Sequence, residues 1–149
     1  HPRAIEVEND TANLVTKLRA GAEYKITQMF FEVDDYLRLR DRVAAVDPEQ
    51  GAKPIIPGLM PITSLRTVTR QVELSGSQIP PQLLERLTRA AGQGPEENRD
   101  EVRKIGIELA TEMSRRLIAE GAPCLHFCTL NFARATSEVL ANLGMTVAV

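Results

Sequence analysis

The chain has 149 residues, 43% of them hydrophobic and 26% charged, and carries a net charge of -2. This suits one globular domain with its own core, and a slightly acidic chain offers nucleic acid no electrostatic attraction, so no such partner is expected. No apolar run reaches membrane length and no signal peptide is visible, so no membrane partner is expected and the cytoplasm is the default location. The opening "HPRAIEVEND" lacks an initiator methionine and reads as a piece cut from a longer protein.

The first helical pattern is "ENDTANLVTKLRAG". Asp10, Asn13 and Lys17 are three and four apart and form one polar stripe, with Leu14 and Leu18 on the apolar stripe beside it. Such a stripe is either a solvated rim with a weak Asp–Lys pair or a margin along which a cofactor lies. Gly21 can end the helix in the left-handed conformation. The run "YKITQMFF" (24–31) then reads as a short, fully buried strand. Gln28 stands within it, on the face shared by Ile26 and Phe30. Its amide is costly to bury unpaired.

"EVDDYLRLRDRVAAV" opens with acidic residues and continues as an amphipathic helix, and "DPEQGAKP" reads as the loop back to a second strand, "PIIPGL" (54–59). Pro57, Gly58 and Pro61 fix the backbone after it, and Gly58 would let a ligand approach closely. "PITSLRTVTRQVELSG" offers Thr63 or Ser64 as a helix cap, and "IPPQLLERLTRA" places a proline at a helix start. After the polar loop "GQGPEENRD" comes a long helix with Val102, Ile105, Leu109, Met113 and Leu117 near helical spacing. Gly121 stops it before the third strand, "CLHFCTL" (124–130). A last helix has Thr136, Val139, Leu140 and Leu143 on one stripe and Gly144 as its stop.

Cys124, His126 and Cys128 suggest a metal site until geometry is considered. Alternate strand residues share a face, but the two sulfurs would stand about 13 Å apart. One zinc needs all its ligands within about 2.3 Å, and a disulfide is equally out of reach. Buried free thiols are expected, and no metal.

Continuous apolar strands alternating with helices predict an α/β fold of parallel β/α units. Three strands make either a small open sheet or part of a (β/α)8 barrel, and in both the chemistry gathers at the C-terminal strand ends. Here those ends are Gln28 with "MFFE", then "PGLMPIT" and "TLNFAR". Gln28 is either a core glutamine satisfied by backbone or a ligand contact, since an amide donates and accepts at once. The nine glycines form neither GxGxxG nor a Walker pattern, and no Ser/His/Asp arrangement is evident.

"HPRA", "AGAEYKITQMFFEVDDYLRLRDR", "IIPGLMPITS" and "EGAPCLHFCTLN", in this order, resemble the C-terminal half of bacterial methylenetetrahydrofolate reductases, over nearly the whole chain. The resemblance implies a (β/α)8 TIM barrel whose last three strands and surrounding helices are residues 1–149, the N-terminal half lying outside this chain. It implies FAD at the C-terminal face, reduced by NADH or NADPH and passing hydride to 5,10-methylenetetrahydrofolate, to give 5-methyltetrahydrofolate for methionine synthesis. A homo-oligomer of the full-length chain is expected. The catalytic Glu and the flavin-ring Asp of the family belong to the missing half, so no catalytic residue is assigned here. By the same resemblance His1, Ala4, Asp10, Asn13 and Lys17 contact the flavin nucleotide. Gln28 meets folate and nicotinamide in turn.

Departures from the family pattern cluster on the folate side. Thr16 replaces a basic residue, Thr67 a folate-contacting Gln, and Gln71 lies where an aromatic is usual. Cys128 replaces Tyr and Phe132 the folate-contacting Arg, for which Arg134, two residues on, stands in. Thr67 and Arg134 complete the expected substrate contacts. Two other readings remain: a non-catalytic truncated segment, and a different flavin or folate barrel built on the same half.

Overall fold

The computed structural model of the protein describes residues 7–94 and 96–145. Helix α1 (Val7–Arg19) buries Leu14, Val15 and Leu18 and exposes Asn13 and Lys17. Strand β1 (Lys25–Met29) follows, then helix α2 (Val33–Val46), the single turn α3 (Pro48–Gly51) and strand β2 (Ile55–Leu59). Helices α4 (Leu65–Ser75), α5 (Pro81–Ala91) and α6 (Arg99–Ala119) lead to strand β3 (His126–Phe127) and helix α7 (Ala133–Asn142). Gly21 and Gly121, at φ 110 and 79, turn the chain out of α1 and α6 in the region open to a residue without Cβ.

The three strands are parallel, in the order β1-β2-β3. Lys25 pairs with Ile55 and Leu59 with Phe127, so these share one face. On it Ile55 and Leu59 are buried under α1, α2 and α6. Ile26 pairs with Ile56 and Gly58 with His126, which places them on the opposite face. There Ile26 is 41% exposed and His126 is exposed. Helices therefore cover one side of the sheet among the described residues.

This corrects the expectation of fully buried strands. An apolar strand shows what it would bury, and β1 and β3 have no cover on their second face. The third strand also shrinks from 124–130 to His126–Phe127, because the chain leaves the ladder after Cys128 N–H donates to the Leu59 carbonyl at 2.8 Å. Both cysteines are free, but Cys124 is exposed and Cys128 only half-buried, for the same reason. The partial burial pushes the Cys128 thiol up from its ordinary pKa.

Helix α6 is the spine. Met113 and Leu117 join the cluster under the sheet, Val102 joins Met29, Ile62 and Val68 near the strand ends, and Ile107 and Ala110 pack on Ala135 and Val139 of α7. Burying a side chain such as Leu117, at 0% exposure, contributes about 1.5–3 kcal/mol.

The segment expected as a plain loop contains α3. Asp47 caps it, accepting from Gln50 N–H at 3.1 Å and from Arg19 Nε at 2.7 Å, so one carboxylate ties α1 to the β2 approach. The Gln50 amide and then Arg19 hold Asp47 below the usual carboxylate range. A depressed pKa in the folded state means stability present above the unfolded pKa and lost as pH falls through the folded one. Asp47→Asn in the complete protein should lower the melting temperature at neutral pH. The gap to wild type should begin to narrow as pH falls below about 3.9 and close only once pH has passed below the lower folded-state value, as thermal melts across pH would record.

Candidate active site

β1 does not pair regularly. Its register against β2 shifts between Ile26 and Met29, three residues of β1 spanning what two span on β2. That is a β-bulge, a device that re-aims side chains beside active sites. Gly58 makes it possible. A Cβ there would lie 2.5 Å from the Thr27 carbonyl oxygen, while its N–H donates to Thr27 Oγ1 at 2.9 Å. The space expected for a ligand at Gly58 is thus filled by the neighbouring strand. Gln28 lies in the bulge and is exposed, its Oε1 accepting a long 3.4 Å bond from Met29 N–H. The bulge also separates Gln28 from Phe30, which is half-buried, packs on the helix-side cluster and stacks on Tyr36 at 6.2 Å. The expected face of Ile26, Gln28 and Phe30 is therefore not one face, and Gln28 is not a core glutamine among the described residues.

After β2, Pro61 and Ile62 are buried and carry the chain into α4. Ser64, not Thr63, is the cap: its hydroxyl accepts from Thr67 N–H at 3.1 Å and donates to Thr67 Oγ1 at 2.7 Å. Glu97, from the loop before α6, accepts from the N–H of Leu65. Two oxygens so satisfy the open end of α4 and fix Thr67.

After β3, Leu130 and Asn131 both adopt positive φ, 48° and 65°, and Phe132 N–H closes the turn on the Thr129 carbonyl at 2.8 Å. Left-handed backbone is strained for leucine, and strain of this kind gathers at functional sites. The turn presents Phe132 at 73% exposure. Arg134 follows on α7, with its Nε 3.4 Å from Glu138 Oε1, which Arg103 also reaches at 2.6 Å. The Arg103 hydrogen bond first, with the charges of Arg103 and Arg134, holds the Glu138 carboxyl below its usual range.

The β2 and β3 ends meet in a pocket of about 60 Å³ that includes Thr67, Phe132 and Thr136. The Thr136 hydroxyl is buried without a hydrogen-bond partner among the described residues. An orphaned hydroxyl beside a pocket points to a ligand or water that completes it. Beside it lies a groove of about 550 Å³, whose lining shares Thr67 and Phe132 with the pocket and includes Arg134.

Of the residues singled out in the sequence, Thr67 and Arg134 are brought together, and Gln28 lies at the end of β1. Asp10, Asn13 and Lys17 do form one stripe of α1, with Asn13 and Lys17 exposed. Burial and then the charge of Lys17 lower the Lys25 pKa, so the Lys17 ammonium lies near the start of β1. His1 and Ala4 lie outside the described residues. No three His, Cys, Asp or Glu side chains among the described residues gather as a metal site, and no helix among them is long and apolar enough to cross a membrane.

The sequence reading missed Thr136, taken for part of an apolar stripe, and the arginines of the groove. Arg66 and Arg70, and Arg99 and Arg103, are each four apart, a spacing that puts each pair on one helix face. That signal was present in the sequence.

Parallel β/α units with helices on one face and polar groups gathered at the C-terminal strand ends define an α/β protein of the class that binds ligands at that edge. A family model described as methylenetetrahydrofolate reductase matches residues 1–144, and the chain belongs to that family. It is 35% identical over 141 residues to methylenetetrahydrofolate reductase 1 of Schizosaccharomyces pombe, covering 94% of this chain and 22% of that protein. It is 32% identical over 147 residues to 5,10-methylenetetrahydrofolate reductase of Escherichia coli, covering 97% of this chain and 46% of that one. The chain thus spans under half the length of these relatives. A solved structure of an uncharacterized protein from Clostridium thermocellum, which binds two copies of 5-methyl-5,6,7,8-tetrahydrofolic acid, matches with a TM-score of 0.58. That match covers 91% of this chain and 47% of the other at 17% identity, a likeness of fold.

Proposed function

We propose that these residues form the C-terminal part of a (β/α)8 barrel in a flavin-dependent enzyme that reduces 5,10-methylenetetrahydrofolate to 5-methyltetrahydrofolate with NADH or NADPH. The observation that carries this reading is the pocket where Thr67, Phe132 and the orphaned hydroxyl of Thr136 meet, in a chain of this family. Helices on one face of a sheet ordered β1-β2-β3 suit barrel winding, in which the second face turns inward on the other strands. The complete protein would work as a cytoplasmic homo-oligomer.

The residues of α1 fit a flavin nucleotide. An exposed carboxamide, Asn13, and an exposed ammonium, Lys17, lie on one stripe, and Lys25 adds a second cation near Lys17. Asp10 to Lys17 spans seven residues, about 10 Å of helix, enough to follow part of an extended dinucleotide. His1, Ala4, Asp10, Asn13 and Lys17 would hold FAD. When bound, FAD accepts and donates hydride. This chain's own residues bind and orient. Gln28 offers a donor and an acceptor to the edge of the folate ring or to a nicotinamide carboxamide, one after the other. Thr67 and Thr136 offer hydroxyls to the folate, and Arg134 a positive charge to its carboxylate end.

Purified complete protein should be yellow, with flavin absorbance that survives desalting, and should oxidise NADH or NADPH when methylenetetrahydrofolate is added. A colourless protein that catalyses this reaction would overturn the flavin assignment, and absence of turnover with flavin bound would overturn the substrate. Lys17→Ala should weaken FAD retention. Loss of a charge-assisted hydrogen bond costs about 1.5–3 kcal/mol, or about ten- to a hundredfold in affinity, measurable as flavin released on dilution.

A further inference from the structure

Gln28 owes its direction to the backbone that carries it. It is exposed, and the bond its Oε1 accepts from Met29 N–H is long, at 3.4 Å. Ile26 pairs with Ile56 and Met29 with Gly58, so Thr27 and Gln28 together stand opposite Pro57. In a regular strand the pleat sets where each side chain points, and an extra residue breaks that alternation. Whatever fixes the bulge therefore aims the amide.

Two hydroxyls hold the bulge, one on each side of Gln28. Thr27 Oγ1 accepts from Gly58 N–H at 2.9 Å, a donor that a regular parallel ladder gives to a carbonyl. Thr27 is half-buried and β-branched, so its oxygen has few places to be. On the other side, Ser77 Oγ donates to the Met29 carbonyl at 3.3 Å. Ser77 lies in the turn after α4, where its own N–H donates to Ser75 Oγ at 3.2 Å. The residues before and after Gln28 are each fastened to another element. Both fastenings come from side chains, so they depend on the sequence at 27 and 77 in a way that a backbone ladder does not.

Resting on the functional reading of Gln28 above, we propose that Thr27, with Ser77 in support, is a positioning residue for the reaction. Its hydroxyl fixes the bulge so that the Gln28 amide meets folate and nicotinamide in one pose. Thr27 acts through Gln28 and touches neither ligand. A threonine that served stability alone would shift the melt and leave the contribution of the amide intact. A positioning threonine changes the rate only while there is an amide to aim.

The test is a double-mutant cycle in the complete protein. It is read by stopped-flow reduction of the flavin with NADH or NADPH and reoxidation by methylenetetrahydrofolate. Thr27→Val keeps the branched shape and removes the acceptor. It should slow both phases by about tenfold, with flavin content unchanged. In a Gln28→Leu background the same change should slow them by less than about twofold. Thr27→Ser keeps the oxygen and should stay within about threefold of wild type. Ser77→Ala changes a turn rather than a strand, and carries the test if Thr27→Val does not fold. It should slow both phases by about threefold with Gln28 present and leave them unchanged without it. Wild-type rates in Thr27→Val, or in Ser77→Ala where that variant carries the test, overturn the proposal. So does equal slowing in both backgrounds, which means that the hydroxyl acts by another route. Thr27→Ser as slow as Thr27→Val overturns it too. If Gln28→Leu alone reacts at wild-type rates, the functional reading of Gln28 falls and takes this inference with it. If Gln28→Leu is slow and Thr27→Val is not, the functional reading stands alone.

Discussion

Gly106→Ala should be strongly destabilising, since it adds a methyl group against backbone. Gly106 is buried within α6, where that helix crosses the chain leaving β2. A Cβ there would lie 2.0 Å from the Ile62 carbonyl oxygen and 2.7 Å from its carbonyl carbon. Both atoms are backbone, so no side chain can rotate away. In a helix interior alanine is ordinarily favoured over glycine by about 1 kcal/mol, so the usual expectation is reversed here by contact alone. Relief requires α6 to move off the β2 exit, which loosens the packing of Val102 on Ile62 and Val68. Overpacking of a core costs about 1–3 kcal/mol when side chains can adjust, and a backbone clash belongs at or above the top of that range. In a barrel of about twice this length the same cost is set against a larger unfolding entropy and lowers the melting temperature by roughly 5 °C, seen by calorimetry of the complete protein. A second consequence follows from location. Ile62 precedes Thr63, Ser64 and Thr67, so the variant should also weaken folate binding more than flavin binding. Unchanged melting would mean that α6 does not lie against Ile62.

Gln28→Leu should do the reverse, sparing the fold and impairing the reaction. Gln28 is exposed at the bulge, and the hydrogen bond its side-chain oxygen accepts from Met29 N–H is long, at 3.4 Å. Little stability rests on it. Leucine has similar reach and no polar atom, so it removes donor and acceptor together. If the amide serves folate and nicotinamide in turn, both half-reactions should slow by about ten- to a hundredfold, the cost of one well-placed hydrogen bond in a site shielded from water. Gln28→Glu keeps the acceptors and loses the donor when ionised. It should also slow both, with flavin still bound.

The helices were legible in the sequence because their signals are local. Gly21 and Gly121, Ser64 and the proline opening α5 all fall where propensity and capping chemistry place them. The parallel sheet followed from strands alternating with helices. What the strands do at their ends was not legible. The bulge at Thr27 and Gln28 depends on Gly58 from another strand, thirty residues on, and a glycine in a strand fits several explanations. Nor does apolarity say whether a face has found its cover, which is why Ile26 and Cys124 were expected buried and are exposed. Helix α3 was hidden because a proline, a glycine and an acidic cap also spell a loop. Thr67 and Arg134 were singled out through resemblance, and both line the groove at the strand ends. The Thr136 orphan needed coordinates, since burial and an absent partner are properties of packing.

The central claim is that the strand ends of this chain take part in moving hydride between a nicotinamide and a folate. Anaerobic stopped-flow of the complete protein addresses it directly, reading flavin absorbance as NADH or NADPH bleaches it and as methylenetetrahydrofolate restores it. The account predicts bleaching and recovery in wild type, and both phases slowed in Gln28→Leu with flavin content and melting temperature unchanged. Wild-type rates in both phases of Gln28→Leu would contradict it.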